Sequence, residues 1–190
     1  MDTHPERFAG RVVSLGRVRL LLACGVVGPI LFYAVFMVAG AVRPGYSAAR
    51  DFISGLSLGD QGWVQIANFI VFGLLTLAFA IGVRLALRTG PAAVAGPLLL
   101  GIHGGALLLG GAMVPDPVTA ATTVHGTLHM LAGIASNAAV AAACFVFARR
   151  FGTWRGFGLY SVATGLAIPI LFVLTGPIGQ PLGMMASSTA

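Results

Sequence analysis

The 190-residue chain is 57% hydrophobic and only 8% charged, with a mean hydropathy of +0.95. An ordinary soluble domain, in which charged residues approach a quarter of the total, is excluded. The net charge of +6 would suggest nucleic acid in a soluble chain, but here the arginines flank apolar runs, so membrane orientation accounts for them and no nucleic acid is expected.

All 11 basic residues are arginine, a composition expected of a GC-rich bacterial genome. Residues 1–19 combine Asp2 and Glu6 with Arg7, Arg11, Arg17 and Arg19, and form a basic lead suited to an anionic lipid surface. Ala39-Gly40-Ala41 mimics a signal-cleavage site, but the apolar run 20–42 is too long for a signal core and matches the roughly 20 residues of a bilayer crossing. It is the first predicted span. Cys24 lies within it and Cys144 within a later one, both placed where thiols stay reduced; no disulfide is expected.

Residues 43–61 read RPGYSAARDFISGLSLGDQ, with a turn at Pro44-Gly45. Ser47 is expected to cap a short interfacial helix whose apolar side is Phe52, Ile53 and Leu56. The second span, 62–83, carries Gln65, Asn68 and Thr76 at helical spacing after Gln61, which gives it a polar face. The third, 92–114, contains His103 and ends at Pro115-Asp116-Pro117, because proline cannot continue a helix. The fourth, 122–148, opens as TTVHGTLHMLAGIASN, and the fifth covers 157–175; Pro177 and Pro181 interrupt the remaining residues. The chain is therefore expected to be all-α: a polytopic helical bundle of five spans over 20–175, with the lead at 1–19 and a short outward tail at 176–190.

If the spans alternate, Arg7, Arg11, Arg17, Arg19, Arg84, Arg88, Arg149, Arg150 and Arg155 share one side and only Arg43 and Arg50 the other. The positive-inside rule makes the arginine-rich side cytoplasmic, so the amino terminus is inside and Asp51, Asp60 and Asp116 face outward.

That topology draws the polar residues into the outer half of the bundle, with His125 and His129 expected beside Gln65, Asn68 and His103. Ionisable groups within a bilayer face the bundle interior or a wet cavity. His125 and His129 stand four residues apart on one helical face, a spacing at which two imidazoles reach one metal ion, with His103 or Asp116 completing a tetrahedral zinc set. The protease version of this motif needs a glutamate at the position held by Gly126, so a zincin is excluded. Interhelical hydrogen bonding explains the same spacing without a metal. Likewise Asp116 serves equally well as a turn cap, and Asp51 as an ion-pair partner of Arg50. No Walker, dinucleotide or nucleophile-elbow pattern is present.

Three segments together resemble an integral membrane family of bacteria, domain of unknown function 998. They are Gly45-Tyr46-Ser47 with Arg50-Asp51-Phe52-Ile53-Ser54-Gly55-Leu56, then Val114-Pro115-Asp116-Pro117, then His125 and His129. The resemblance implies a sixth span, for which no further apolar run is found, and it implies that Arg50, Asp51 and Ser54 belong with Asp116 and the histidines. Such a set is similar in kind to the zinc hydrolases of the alkaline ceramidase and adiponectin-receptor class, by residue type alone.

The functional expectation is a bacterial inner-membrane protein, embedded in the lipid bilayer, with an outward-facing His/Asp site for a lipophilic molecule. As a zinc hydrolase it would bind metal through His103, His125 and His129, use Asp116 or Asp51 as general base and orient substrate with Ser54. A metal-free enzyme would use Asp51 or Asp116 as an acid with pKa raised by burial, acting on a prenyl or lipid substrate. The non-enzymatic alternative is a transporter subunit or assembly partner.

Overall fold

A computed structural model describes residues 14–117, 120–154 and 156–175. The described residues form five long helices, α1 (Leu15–Val42), α2 (Gly62–Ala86), α3 (Ala95–Ala112), α4 (Val124–Phe151) and α5 (Phe157–Thr175), with one 3-10 helix (Ile53–Ser57) between α1 and α2. All five are long and apolar enough to cross a membrane. The protein is thus a polytopic helical bundle. The tail at 176–190 and residues 1–13 of the lead lie outside the described residues. Residues 15–19 already belong to α1, because Arg17 and Arg19 can run their stems along the helix and keep their charges at its end.

Each helix packs on its neighbours in the chain: α1 on α2, α2 on α3, α3 on α4 and α4 on α5. The 3-10 helix rests on α1 and α2. α1 and α5, at the two ends of this series, bury the least. The stripe α1 buries is Gly28, Phe32 and Phe36, four residues apart, and it faces α2, whose Phe69 and Phe72 rings lie 5.4 and 4.9 Å from that of Phe32. Between α2 and α3 the backbones themselves meet: a Cβ added at Gly73 would stand 2.8 Å from the Gly104 carbonyl oxygen. Small residues at such a crossing allow close approach where no hydrophobic force joins helices in lipid. Many large apolar side chains, among them Ile30, Val38, Leu98 and Leu166, point outward, as expected of a surface solvated by acyl chains.

The two ends differ in charge. Arg84 closes α2, Arg149 and Arg150 close α4, and the Arg150 guanidinium donates to the carbonyls of Thr89 and Pro91 at 2.7 and 2.8 Å, tying α4 to the α2–α3 turn. The opposite end carries the α1–α2 and α3–α4 connections, with Asp51, Asp60 and Asp116. Ser47 does not start a helix. Its N–H instead donates to Asp51 Oδ2 at 2.7 Å, closing a turn, and helical geometry begins only at Ile53.

Candidate functional site

At the acidic end the polar residues separate into two places. The first is the seam between α3 and α4. His129 Nδ1 lies 2.9 Å from the Gly110 carbonyl oxygen and 2.7 Å from that of Met113. Both partners are acceptors only, so Nδ1 carries the hydrogen and donates to carbonyls that the last turn of a helix leaves without an intrahelical partner. His103 Nδ1 lies 2.8 Å from Ser136 Oγ and 3.1 Å from the Ser136 carbonyl oxygen. Ser136 is seven residues beyond His129 on α4, roughly 10 Å along the axis at about 1.5 Å per residue. The histidine pairs therefore stand two turns apart, each joining α3 to α4.

Asp116 begins the seam. Its carboxylate accepts from the Thr123 N–H and the Thr123 hydroxyl, both at 2.7 Å, and Thr123 Oγ1 accepts from the Gly126 N–H at 3.1 Å, capping α4. The Thr123 backbone and side-chain hydrogen bonds, with a smaller contribution from nearby His125, hold the Asp116 carboxyl below its ordinary range. An acid kept protonated by burial is therefore not found at this position: hydrogen bonds to the charged form outweigh desolvation. Gly126 is where it is because any Cβ there would overlap the Asp116 carboxylate.

The structure does not gather His103, His125 and His129 into one group around a common point. Among the described residues no three histidine, cysteine, aspartate or glutamate side chains stand close enough to hold a metal. The Nδ1 atoms of His103 and His129 are engaged by α4 and α3 respectively, and His125 is exposed.

The second place is the α1–α2 side. Gln65 and Asn68 turn toward α1 and away from the histidines: Asn68 Nδ2 donates to the Phe32 carbonyl at 3.0 Å and to Gln65 Oε1 at 3.3 Å. The sequence expectation that they join the histidines is corrected by this packing. Phe69 and Phe72 stand between, 6.3 Å from the His129 ring and 5.9 Å from that of His103. Ser54 lies on the 3-10 helix, which packs with α1 and α2, and these carry no part of the seam. Asp51 likewise belongs to this side. The Tyr46 hydroxyl donates weakly to the carbonyls of Asp51 and Phe52 at 3.4 and 3.3 Å, and burial, with the Asp51 charge second, pushes its pKa up.

Between α1 and α2 at this end lies a groove of about 480 Å³, lined by Ala34, Val38 and Ala39 of α1, Val64 and Gln65 of α2, and Leu56 below the connection, with Arg43 and Gln61 at its mouth. Gln65 is 0% exposed, and its Nε2 has no hydrogen-bond partner among the described residues; the same holds for Ser57 Oγ nearby. Neither orphan is visible in sequence, where Gln65 reads only as one of four polar residues on a helix face.

A family model described as protein of unknown function (DUF998) matches residues 26–188. The chain belongs to this family. The match covers all three segments on which the resemblance rests and reaches past α5 into the tail. No curated protein and no solved structure matches the chain. Membership of the family fits a multi-pass membrane protein, and its description assigns no reaction.

Proposed function

We propose that this DUF998 chain binds a lipophilic molecule in the α1–α2 groove, on the outer side of a bacterial cytoplasmic membrane. The arginine bias between the two ends supports that orientation, and the all-arginine composition supports the source. The observation that carries the reading is the Gln65 amide, whose Nε2 is sealed from solvent at the inner end of an apolar groove with no acceptor among the described residues. An unmade hydrogen bond of this kind costs roughly 1–3 kcal/mol. A ligand presenting an acceptor removes that cost. The groove also falls within the roughly 300–1,000 Å³ of small-molecule sites and is mostly apolar with few polar groups, as such sites are. In this reading Asp51 shapes the connection over the groove, through its bond to the Ser47 N–H, and transfers no proton.

Filling the groove tests the proposal. Mass spectrometry of lipid extracted from protein purified in mild detergent should find a bound amphiphile in the native chain and in Ala135→Trp, an exposed site on α4. Ala39→Trp should lose it. Equal retention by Ala39→Trp, with the fold intact by size exclusion, overturns the reading.

A further inference from the structure

Arg43 follows the last turn of α1 with extended backbone, φ −82° and ψ 113°. Its guanidinium folds back over Gly59, where an added Cβ would stand 2.9 Å from Nη2 and where φ is +75°. The positive φ favours glycine there, and the missing Cβ leaves the guanidinium its place. The loop thereby holds a half-buried cation at the mouth of the groove, and among the described residues no carboxylate pairs with it.

From Arg43 down to Ala34 the groove follows α1 for roughly 13 Å, at about 1.5 Å per residue. That is about half the roughly 30 Å hydrocarbon thickness, the depth of one leaflet. Val38 and Val42 on its rim are 65% and 64% exposed, so it opens sideways to acyl chains. Gln65 lies one helical turn, about 5–6 Å, below Gln61 at the mouth.

We infer that the occupant is a phospholipid of the surrounding leaflet, with its phosphate on the Arg43 guanidinium, an ester carbonyl accepting from Gln65 Nε2, and one acyl chain along Ala34, Val38 and Val64. This rests on the lipid-binding reading above and names its substrate class. A planar guanidinium matches phosphate oxygens in a bidentate fashion. Ester carbonyls lie immediately beneath the phosphate of a glycerolipid, at the level where the amide lacks its acceptor. Free phosphate would satisfy Arg43 but leave the apolar walls empty, and a lipid without phosphate would fill the walls but leave the cation unpaired.

The test uses the full chain in dodecyl maltoside micelles, which contain no phosphate, with two probes bearing the same diazirine-labelled acyl chain: a phosphatidylglycerol and a diacylglycerol. The phosphatidylglycerol should label the native chain roughly tenfold more than the diacylglycerol. Arg43→Gln should bring the two to the same level, Arg43→Lys should keep most of the preference, and Ala39→Trp should abolish labelling by both. Equal labelling of the native chain by the two probes, or an unchanged preference in Arg43→Gln, overturns the phosphate assignment while leaving the groove reading in place. Displacement of the phospholipid probe by excess inorganic phosphate would identify a free-anion site and overturn the lipid assignment. Labelling that survives Ala39→Trp overturns the groove reading itself.

Discussion

The α3–α4 seam and the α1–α2 groove lie at the same end of the bundle, separated by Phe69 and Phe72, yet they treat polar atoms in opposite ways. In the seam, Asp116, His129 and His103 all find partners, respectively the α4 amino terminus, the α3 carboxyl end and Ser136. In the groove, among the described residues, Gln65 Nε2 is buried without a partner and Arg43 is half-buried without an acid, and next to the lining residue Leu56 the Ser57 Oγ is likewise unpartnered. A satisfied polar group in a low-dielectric bundle fixes the helices, whereas an unsatisfied one lacks a partner that a ligand can supply. Ionisable residues inside a membrane lean functional as a class, but their hydrogen bonds decide which of them hold the fold. Here His103 and His129 hold it, and the neutral amide and the rim arginine are where the ligand is proposed to bind.

Substitutions can break this contrast. Gly126→Val should be the most damaging, because the new side chain displaces the Asp116 carboxylate and undoes the α4 cap; a loss of about 3 kcal/mol is expected in denaturant titration of the purified protein. His129→Leu strips the donor from the Gly110 and Met113 carbonyls and should cost about 2 kcal/mol. Hydrogen exchange should rise in the last turn of α3 with α1 unchanged. Ser136→Ala, which takes one bond from His103, should cost about 0.6 kcal/mol. Gln65→Leu is the opposite case: stability should stay within about 0.5 kcal/mol of the native chain, since the amide's Nε2 has no bond to lose and Asn68, which gives up only its long 3.3 Å bond to Gln65 Oε1, keeps the Phe32 carbonyl, while amphiphile retention falls. A large loss of stability in Gln65→Leu would erase the distinction between the two regions.

The Asp116 cap adds a pH dependence confined to the seam. A carboxyl whose folded pKa is depressed contributes stability that is present above its unfolded pKa and lost as pH falls through the folded value. The ordinary value is 3.8, so protection of the first turn of α4 should hold above that pH and decline below it. Asp116→Asn should flatten the decline, as read by hydrogen exchange across the acid range.

The architecture was legible in the sequence because five long apolar runs have few alternatives to spanning a bilayer. Their ends were less legible. α3 begins at Ala95, three residues later than expected, after a turn in which Ala92 takes a φ of +67° and Arg150 grips the carbonyls on either side of Gly90. The spacing of His125 and His129 did place them on one face of α4, but whether a histidine meets an ion or a helix end depends on where α3 stops, and that is a tertiary fact. Gln65 and Asn68 could be assigned to a polar face, but which neighbour that face meets depends on Phe69 and Phe72 standing between it and the histidines. Arg43 was visible as one of two arginines on the acidic side, but its fold over Gly59 required the connection to be built.

The central claim is that this end of the bundle holds its lipophilic ligand between α1 and α2 and not at the histidines. Mapping the crosslinked peptide of the diazirine phosphatidylglycerol by tandem mass spectrometry tests it most directly. The adduct is expected on residues 34–42 of α1 or on Val64 of α2; an adduct concentrated on residues 124–137 of α4, beside the histidines, would contradict it.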